Sequence, residues 1–357
     1  MTKIEWTEQT WNPVVGCSLA SPGCTNCYAM KMAARLDSMD AAAFVSGGRR
    51  PRMQQYSGVT KFVNKKAVWT GKVAIVDDHA LMAPMRRKKP TMYFVNSMGD
   101  LFHEAVPDEW IDSVFAVMAL CPQHTFQVLT KRAARMRDYF KGQMYERVGA
   151  RMGEIGGPER EGWYAPACDG KRGWLEVCAP LPNVWLGVSV ENQARANERI
   201  PDLLATLAAV RFVSCEPMLG ELDLGEWLGV ERITLSIGRH WTECTGRVAK
   251  LDQVICGGES GSGARPMHPD WARSLRDQCT ASGVPFFFKQ WGEWAEWPDS
   301  EFISEIAECE EIAGRYEYFQ RHSADAPVHM RRVGKKAAGR LLDGCTWDEM
   351  PKGLPVP

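Results

Sequence analysis

Six short apolar runs recur along the chain, each ending in polar residues for which a buried sheet has no packing use. They cover 92–95 before Asn96 and Ser97, 126–129 before Thr130 and Lys131, and 184–188 before Ser189. The other three cover 211–213 before Ser214, Cys215 and Glu216, 254–256 before Gly257, Gly258 and Glu259, and 285–288 before Lys289 and Gln290. Runs of this length and content predict buried strands. Between them lie stretches of helical character at roughly 26–38, 107–120, 132–140, 191–207 and 269–282. Strand alternating with helix implies right-handed crossovers and a parallel sheet covered by helices. The expected fold class is therefore α/β, a full or partial TIM-like (β/α) barrel of parallel strands, with an open doubly wound sheet as the alternative. In either architecture the carboxyl ends of the strands converge on the site, and the polar endings of the six runs fall there.

The spacing of the runs is uneven. A single domain over 1–357 then needs insertions at about 41–90, 145–182, 225–251 and 294–326, read as loops, lids or small subdomains. The first of these carries a β-like stretch at 72–76, and the stretch 330–344 reads as a basic helix closed by Gly344. No run of 18 apolar residues occurs and the first residues lack a secretory stretch, so a cytoplasmic protein without a membrane partner is expected. That compartment governs the reading of twelve cysteines, because reducing thiol pools leave them for metal binding, catalysis or plain burial. Cys121, Cys215, Cys256 and Cys279 stand in apolar settings and read as buried.

A net charge of −1 gives no global field toward nucleic acid or membrane. Local charge is less even. Arg49, Arg50 and Arg52; Arg86 to Lys89; Lys131, Arg132, Arg135 and Arg137; and Arg331, Arg332, Lys335, Lys336 and Arg340 form four basic clusters. They allow a nucleic-acid partner without requiring one.

Cys17, Cys24 and Cys27 form the most informative motif. Three thiolates so close in sequence can hold a metal or cluster while leaving one coordination position open. Zinc in a structural site wants four ligands, and no second pair lies at the usual spacing, which leaves a distant residue such as His103 or Cys215 as the fourth. A four-iron cluster fits the count of three. Gly16 and Gly23 with Pro22 let the backbone wrap closely, and a helix starting near Asn26 would turn its positive end to an anionic cluster.

The cysteine loop, followed by a helix and an α/β succession, resembles the start of a radical S-adenosylmethionine (SAM) enzyme. Nearly the whole chain resembles the phage Gp-type three-cysteine proteins, a family of unknown function. The matching stretches include Trp-Asn-Pro-Val-Val-Gly-Cys, Phe-Val-Asn-Ser-Met-Gly-Asp-Leu-Phe-His, Phe-Val-Ser-Cys-Glu-Pro and Phe-Phe-Lys-Gln-Trp-Gly. The radical SAM resemblance implies a 4Fe-4S cluster on Cys17, Cys24 and Cys27, SAM on the open iron, and an electron donor as partner. It further implies Tyr28 near the adenine, Ser97 and Asp100 at the methionyl amine, and Gly257-Gly258-Glu259 as a counterpart of the superfamily's Gly-Gly-Glu turn.

Other residues carry two readings each. Glu216 and Glu259 follow strands and could bind ribose hydroxyls or take a proton, or could simply pair with Lys289 or Arg265. Ser189, Glu191 and Asn192 could touch the cofactor or cap a helix. Lys131 and Lys289 could meet a carboxylate or phosphate. Trp6, Trp11, Trp291 and Trp294 could stack on bases or fill a core. The function expected is a radical SAM-like enzyme, with nucleic-acid modification as one possible task and Glu216, Glu259 and Lys289 as catalytic groups. The alternatives are a non-enzymatic zinc or iron–sulfur protein that binds nucleic acid, and a cofactor-free barrel enzyme using the same three catalytic groups.

Overall fold

The computed structural model describes residues 4–45, 53–156, 180–229, 234–237, 240–243, 250–297, 316–319 and 328–351. Seven strands make one sheet: β1 (Gln9–Trp11), β2 (Met92–Val95), β3 (Thr125–Thr130), β4 (Val184–Ser189), β5 (Val210–Cys215), β6 (Gln253–Gly257) and β7 (Phe286–Gln290), neighbours in that order. Thr10 pairs with Phe94, Phe94 with Gln127 and Val128 with Leu186, all in parallel register, as is β6 with β7. Strand order equal to chain order is the winding of a barrel, whereas a doubly wound sheet reverses at its centre. The partial form of the barrel expectation holds. Among the described residues β1 and β7 stand at the two ends of the sheet, so a closed barrel is not shown.

All six apolar runs are strands, and each is buried along most of its length. β1 was not legible: of Gln9, Thr10 and Trp11 only the last is buried, so three residues offer no periodicity to read.

The chain divides into two compact units, 1–189 with 198–212 and 351–357, and 190–197 with 213–350. In the first, α1 (Tyr28–Val45), α2 (Asp108–Ala119), α3 (Ala133–Lys141) and α4 (Met144–Gly156) accompany β1 to β4. α2 opens with Asp108 and Glu109 against its positive end and buries Ile111, Val114, Phe115 and Met118. It packs on α4, where Asp112 accepts from Tyr139 Oη at 2.6 Å and Arg147 Nε at 2.9 Å. Trp6 and Trp11 are buried, Trp6 at 4.7 Å from Phe94 and Trp11 at 5.7 Å from Phe126. They fill the core.

In the second unit, α6 (Pro269–Ser282), which follows α5 (Gln193–Leu204), is bounded at both ends by its sequence. His268 Nδ1 accepts the Asp270 N–H, Pro269 supplies a preset φ, and Gly283 closes the helix in the left-handed region. Trp294–Trp297, Val328–Arg332 and Tyr316–Phe319 form an antiparallel sheet with Val328–Arg332 in the middle. This corrects the basic helix expected at 330–344. Val328 and Met330 alternate inward with period two, and only Lys335–Ala338 is helical. Trp291 and Trp294 are also buried.

The insertions differ in content from what composition implied. In 41–90 the hairpin is Thr60–Val63 with Lys66–Trp69, while Ala74–Ile75 pairs with Val14–Val15. In 145–182 glycines hide α4, which forms because Met144, Val148 and Met152 line one buried stripe. Residues 46–52, with the Arg49 cluster, lie outside the described residues, as do 157–179, most of 225–251 beyond Gly229, and most of 298–326. No helix among the described residues is long and apolar enough to cross a membrane.

Candidate functional site

In the first unit, Cys17 follows the two-residue strand Val14–Val15 just after β1. The loop there is stitched to the loop after β2, with Gly16 N–H donating to Met98 O at 3.1 Å and a bridge from Gly16 to Gly99. Side chains would not fit this crossing. A Cβ on Gly16, which has φ +91°, would stand 2.2 Å from Lys72 O, and one on Gly99 would stand 2.9 Å from Val14 O. Cys24 ends a 3-10 turn over Pro22–Cys24, and Cys27 directly precedes α1 with its N–H on Cys24 O at 3.3 Å.

All three cysteines are free thiols. Cys17 and Cys27 lie against one apolar cluster built from Ala29, Met30 and Ala33 of α1 with Tyr56, Val59 and Trp69. Burial pushes the Cys17 thiol up to about 12, helped by the Asp100 charge and opposed by Arg132. Burial also raises Cys27, and Cys24 lies within electrostatic reach of both. Bare, the Cys17 and Cys27 thiols stay protonated at neutral pH. A coordinating cation would reverse that.

Arg132, directly after β3, ties this loop together. Its Nη1 donates to Cys17 Sγ at 3.6 Å and Asp100 Oδ2 at 3.0 Å, and its Nη2 donates to Ser18 Oγ at 2.7 Å. Its Nε reaches both Glu104 oxygens at 3.0 and 3.1 Å. Asp100 also accepts from Phe102 N–H at 3.0 Å, Thr130 Oγ1 at 2.7 Å and Lys131 N–H at 3.1 Å. With Arg132 these make a full set of donors for one carboxylate, so Asp100 works as a mount for the guanidinium. His103 Nδ1 accepts the Ala105 N–H at 3.1 Å, which leaves Nε2 to carry the proton facing Ser18 Oγ at 2.9 Å. Burial and the Arg132 charge hold His103 below its ordinary pKa, consistent with that neutral form.

Two further expected residues meet. Tyr28 Oη donates to Ser97 O at 2.9 Å, and Ser97 Oγ donates to Asn12 Oδ1 at 3.0 Å. The Tyr28 ring stays half exposed. Ser189, at the end of β4, is buried and its carbonyl accepts from Arg199 Nη1 at 2.7 Å. Lys131, expected at the strand end to meet a carboxylate or phosphate, follows β3 directly, yet the buried cation is the next residue, Arg132, 8% exposed. Ser18, Glu104 and Asn12 carried no sequence signal of their own.

In the second unit, Glu216 Oε1 accepts from Lys289 Nζ at 2.5 Å. A Cβ on Gly257 would lie 3.5 Å from both the Glu216 carboxyl carbon and Lys289 Cβ, so this glycine borders the pair. Leu219 N–H donates to Glu191 O at 2.7 Å and Met218 N–H to Gly257 O at 3.1 Å, which brings the loops after β5 and β6 together with the turn at Glu191. The Glu191 side chain is fully buried. Glu259 is held by Arg265 through Nε at 2.8 Å, Nη2 at 2.6 Å and the backbone N–H at 2.8 Å. Gly258 has a packing reason: a Cβ there would stand 1.9 Å from Trp291 O. Cys215, Cys256 and Cys279 are buried as expected, and burial raises all three thiols.

Among the described residues no group of three or more His, Cys, Asp and Glu side chains is arranged to hold a metal ion. That holds for Cys17, Cys24 and Cys27 as well, all three of them described. By donor chemistry, three thiols on one loop match the ligand count of a cluster held by three cysteines, whereas a structural zinc site wants four ligands.

Fold and site define an α/β protein with a three-cysteine loop at the carboxyl ends of its first parallel strands. A family model described as "Protein of unknown function (DUF5131)" matches residues 1–351, and the chain belongs to that family. No curated protein and no solved structure matches the chain.

Proposed function

We propose that this chain is a cytoplasmic radical SAM-type iron–sulfur enzyme acting on nucleic acid, with Cys17, Cys24 and Cys27 holding a 4Fe-4S cluster. The observation that carries this reading is a single loop with three free thiols, one of which, Cys17 Sγ, accepts from Arg132 Nη1. When bound, such a cluster supplies an open iron for SAM and one electron, received from a donor protein, for its reductive cleavage. The chain's own residues prepare the place. Arg132 donates toward the sulfur and offsets cluster charge, and Asp100 fixes Arg132. Tyr28 offers an exposed ring beside Ser97, a fitting surface for adenine. The apolar cluster under Cys17 and Cys27 excludes water from one side. In the second unit, Glu216 with Lys289 can hold or move a proton beside Gly257, and Glu259 is braced by Arg265.

The test is iron and acid-labile sulfide on anaerobically purified protein, followed by electron paramagnetic resonance of the reduced sample with and without SAM. About four irons per chain, a signal that changes with SAM, and loss of iron in Cys17→Ala, Cys24→Ala and Cys27→Ala are the expected results. Stoichiometric zinc, or a cluster signal indifferent to SAM, overturns the reading in favour of a structural metal staple.

A further inference from the structure

Between Asp40 and Asp77 the sequence contains no Asp or Glu, yet it contains seven Lys or Arg in a chain of net charge −1. The described part of this segment builds a two-stranded hairpin, Thr60–Val63 with Lys66–Trp69, turned by Asn64 and Lys65 at φ 49° and 62°. Both turn residues take left-handed backbone, as a tight two-residue hairpin requires. Every side chain from Lys61 to Lys66 is exposed, with Phe62 at 67% and Val63 at 44%. No carboxylate among the described residues pairs with Lys61, Lys65 or Lys66.

The other end of the hairpin is fixed. Trp69 and Val59 are buried in the cluster that carries Cys17 and Cys27. Thr70 N–H bonds Val59 O at 2.9 Å, and Gly71 N–H bonds Cys17 O at 3.2 Å. An exposed phenyl ring on a two-stranded ribbon that also carries three ammonium groups without a carboxylate partner, rooted beside the cysteine loop, has the chemistry of a contact surface. The exposed large hydrophobic side chains of the described residues concentrate in the same part of the chain, among them Leu19 in the cysteine loop and Tyr28 and Met32 on α1.

We infer that the Lys61–Lys66 hairpin is a nucleic-acid contact, gripping phosphates with Lys61, Lys65 and Lys66 and stacking Phe62 on an unpaired base. The occupant follows from charge and shape. Ammonium groups suit phosphates of any sequence, and a phenyl ring, having no hydrogen-bonding edge, reads only the face of a base. A base face is free in a single strand and hidden in a duplex. The inference deepens the proposed function by naming the surface that brings its substrate to the cysteine loop, and it rests on that reading for its purpose only.

The test is fluorescence anisotropy of labelled 20-nucleotide single-stranded DNA and RNA, and of the DNA duplex, against protein purified without added iron. Binding is therefore scored apart from cluster content, and either result can fail while the other stands. The expected outcome is salt-dependent binding of single strands ahead of duplex. Phe62→Ala weakens it about tenfold, and Lys61→Gln/Lys65→Gln/Lys66→Gln lowers the slope of log affinity against log salt by about 2. Phe62→Trp retains binding. Since all four positions are exposed, the variants keep the wild-type melting temperature. Absence of binding, equal affinity in the Phe62→Ala and lysine variants, or capture by vesicles of phosphatidylserine with none by oligonucleotides overturns the inference.

Discussion

Arg132 joins four residues from two loops, Cys17 and Ser18 in one and Asp100 and Glu104 in the other. Its side chain and that of Asp100 are 6% and 7% exposed. A buried ion pair contributes little net stability when intact, but breaking it strands the remaining charge. Arg132→Met should therefore lower stability by about 3–5 kcal/mol, measured by urea unfolding. Arg132→Lys should recover little, because one ammonium cannot span acceptors placed around a planar fork. An unchanged midpoint in Arg132→Met would remove Arg132 from its place as the brace of the loop. The exposed end of the network is Glu104, with a side chain 69% exposed. Its contact carries far less weight, and Glu104→Gln should move the midpoint only slightly.

Glycines decide how the loops at the strand ends cross. In the second unit the loop after β6 passes over the loop after β7 so closely that a Cβ on Gly258 would overlap Trp291 O, and one on Gly292 would stand 2.0 Å from Glu259 O. Backbone cannot swing aside as a side chain can. Gly258→Ala should cost about 3 kcal/mol. Gly153 gives the opposite case, since it lies within α4 with nothing within 4 Å of an added Cβ. Gly153→Ala should raise stability by about 0.5–1 kcal/mol. Thermal melts of the two variants check both signs, and a neutral Gly258→Ala would show that the crossing relaxes freely. Legibility in the sequence follows the same physics. The six buried strands announce themselves as apolar runs, and α2 and α6 by periodicity and caps. The short edge strand β1, the glycine-bearing helix α4 and the antiparallel strand over Val328–Arg332 owe their form to partners distant in sequence. At the site, the three cysteines and the Tyr28, Ser97 and Asp100 positions were legible from motif and strand-end placement. Which of two adjacent cations turns inward, Lys131 or Arg132, is set by the fork of acceptors waiting for it.

At the scale of the molecule, the two compact units are interleaved in sequence: the chain leaves the first after Ser189 and re-enters it for 198–212. That return is structural. Phe212 packs against Gly187, where an added Cβ would stand 2.5 Å from the ring, and its centroid lies 6.1 Å from that of Trp6. Arg137 forms an ion pair with Asp202, and Arg199 caps the Ser189 carbonyl. A chain ending at Ser189 should consequently fail to fold cooperatively, seen as a broad thermal transition and loss of near-ultraviolet circular dichroism. A chain with a sharp transition at that length would show that 198–212 is dispensable. The hairpin obeys a different rule. Its strands enter and leave side by side, clamped at Val59 and Thr70, so its tip is mechanically separate from the cysteine loop below. Tip residues can be lengthened, shortened or exchanged between relatives without disturbing the chemistry at its root, which makes this ribbon the natural place for target preference to diverge and for an engineer to graft a new one.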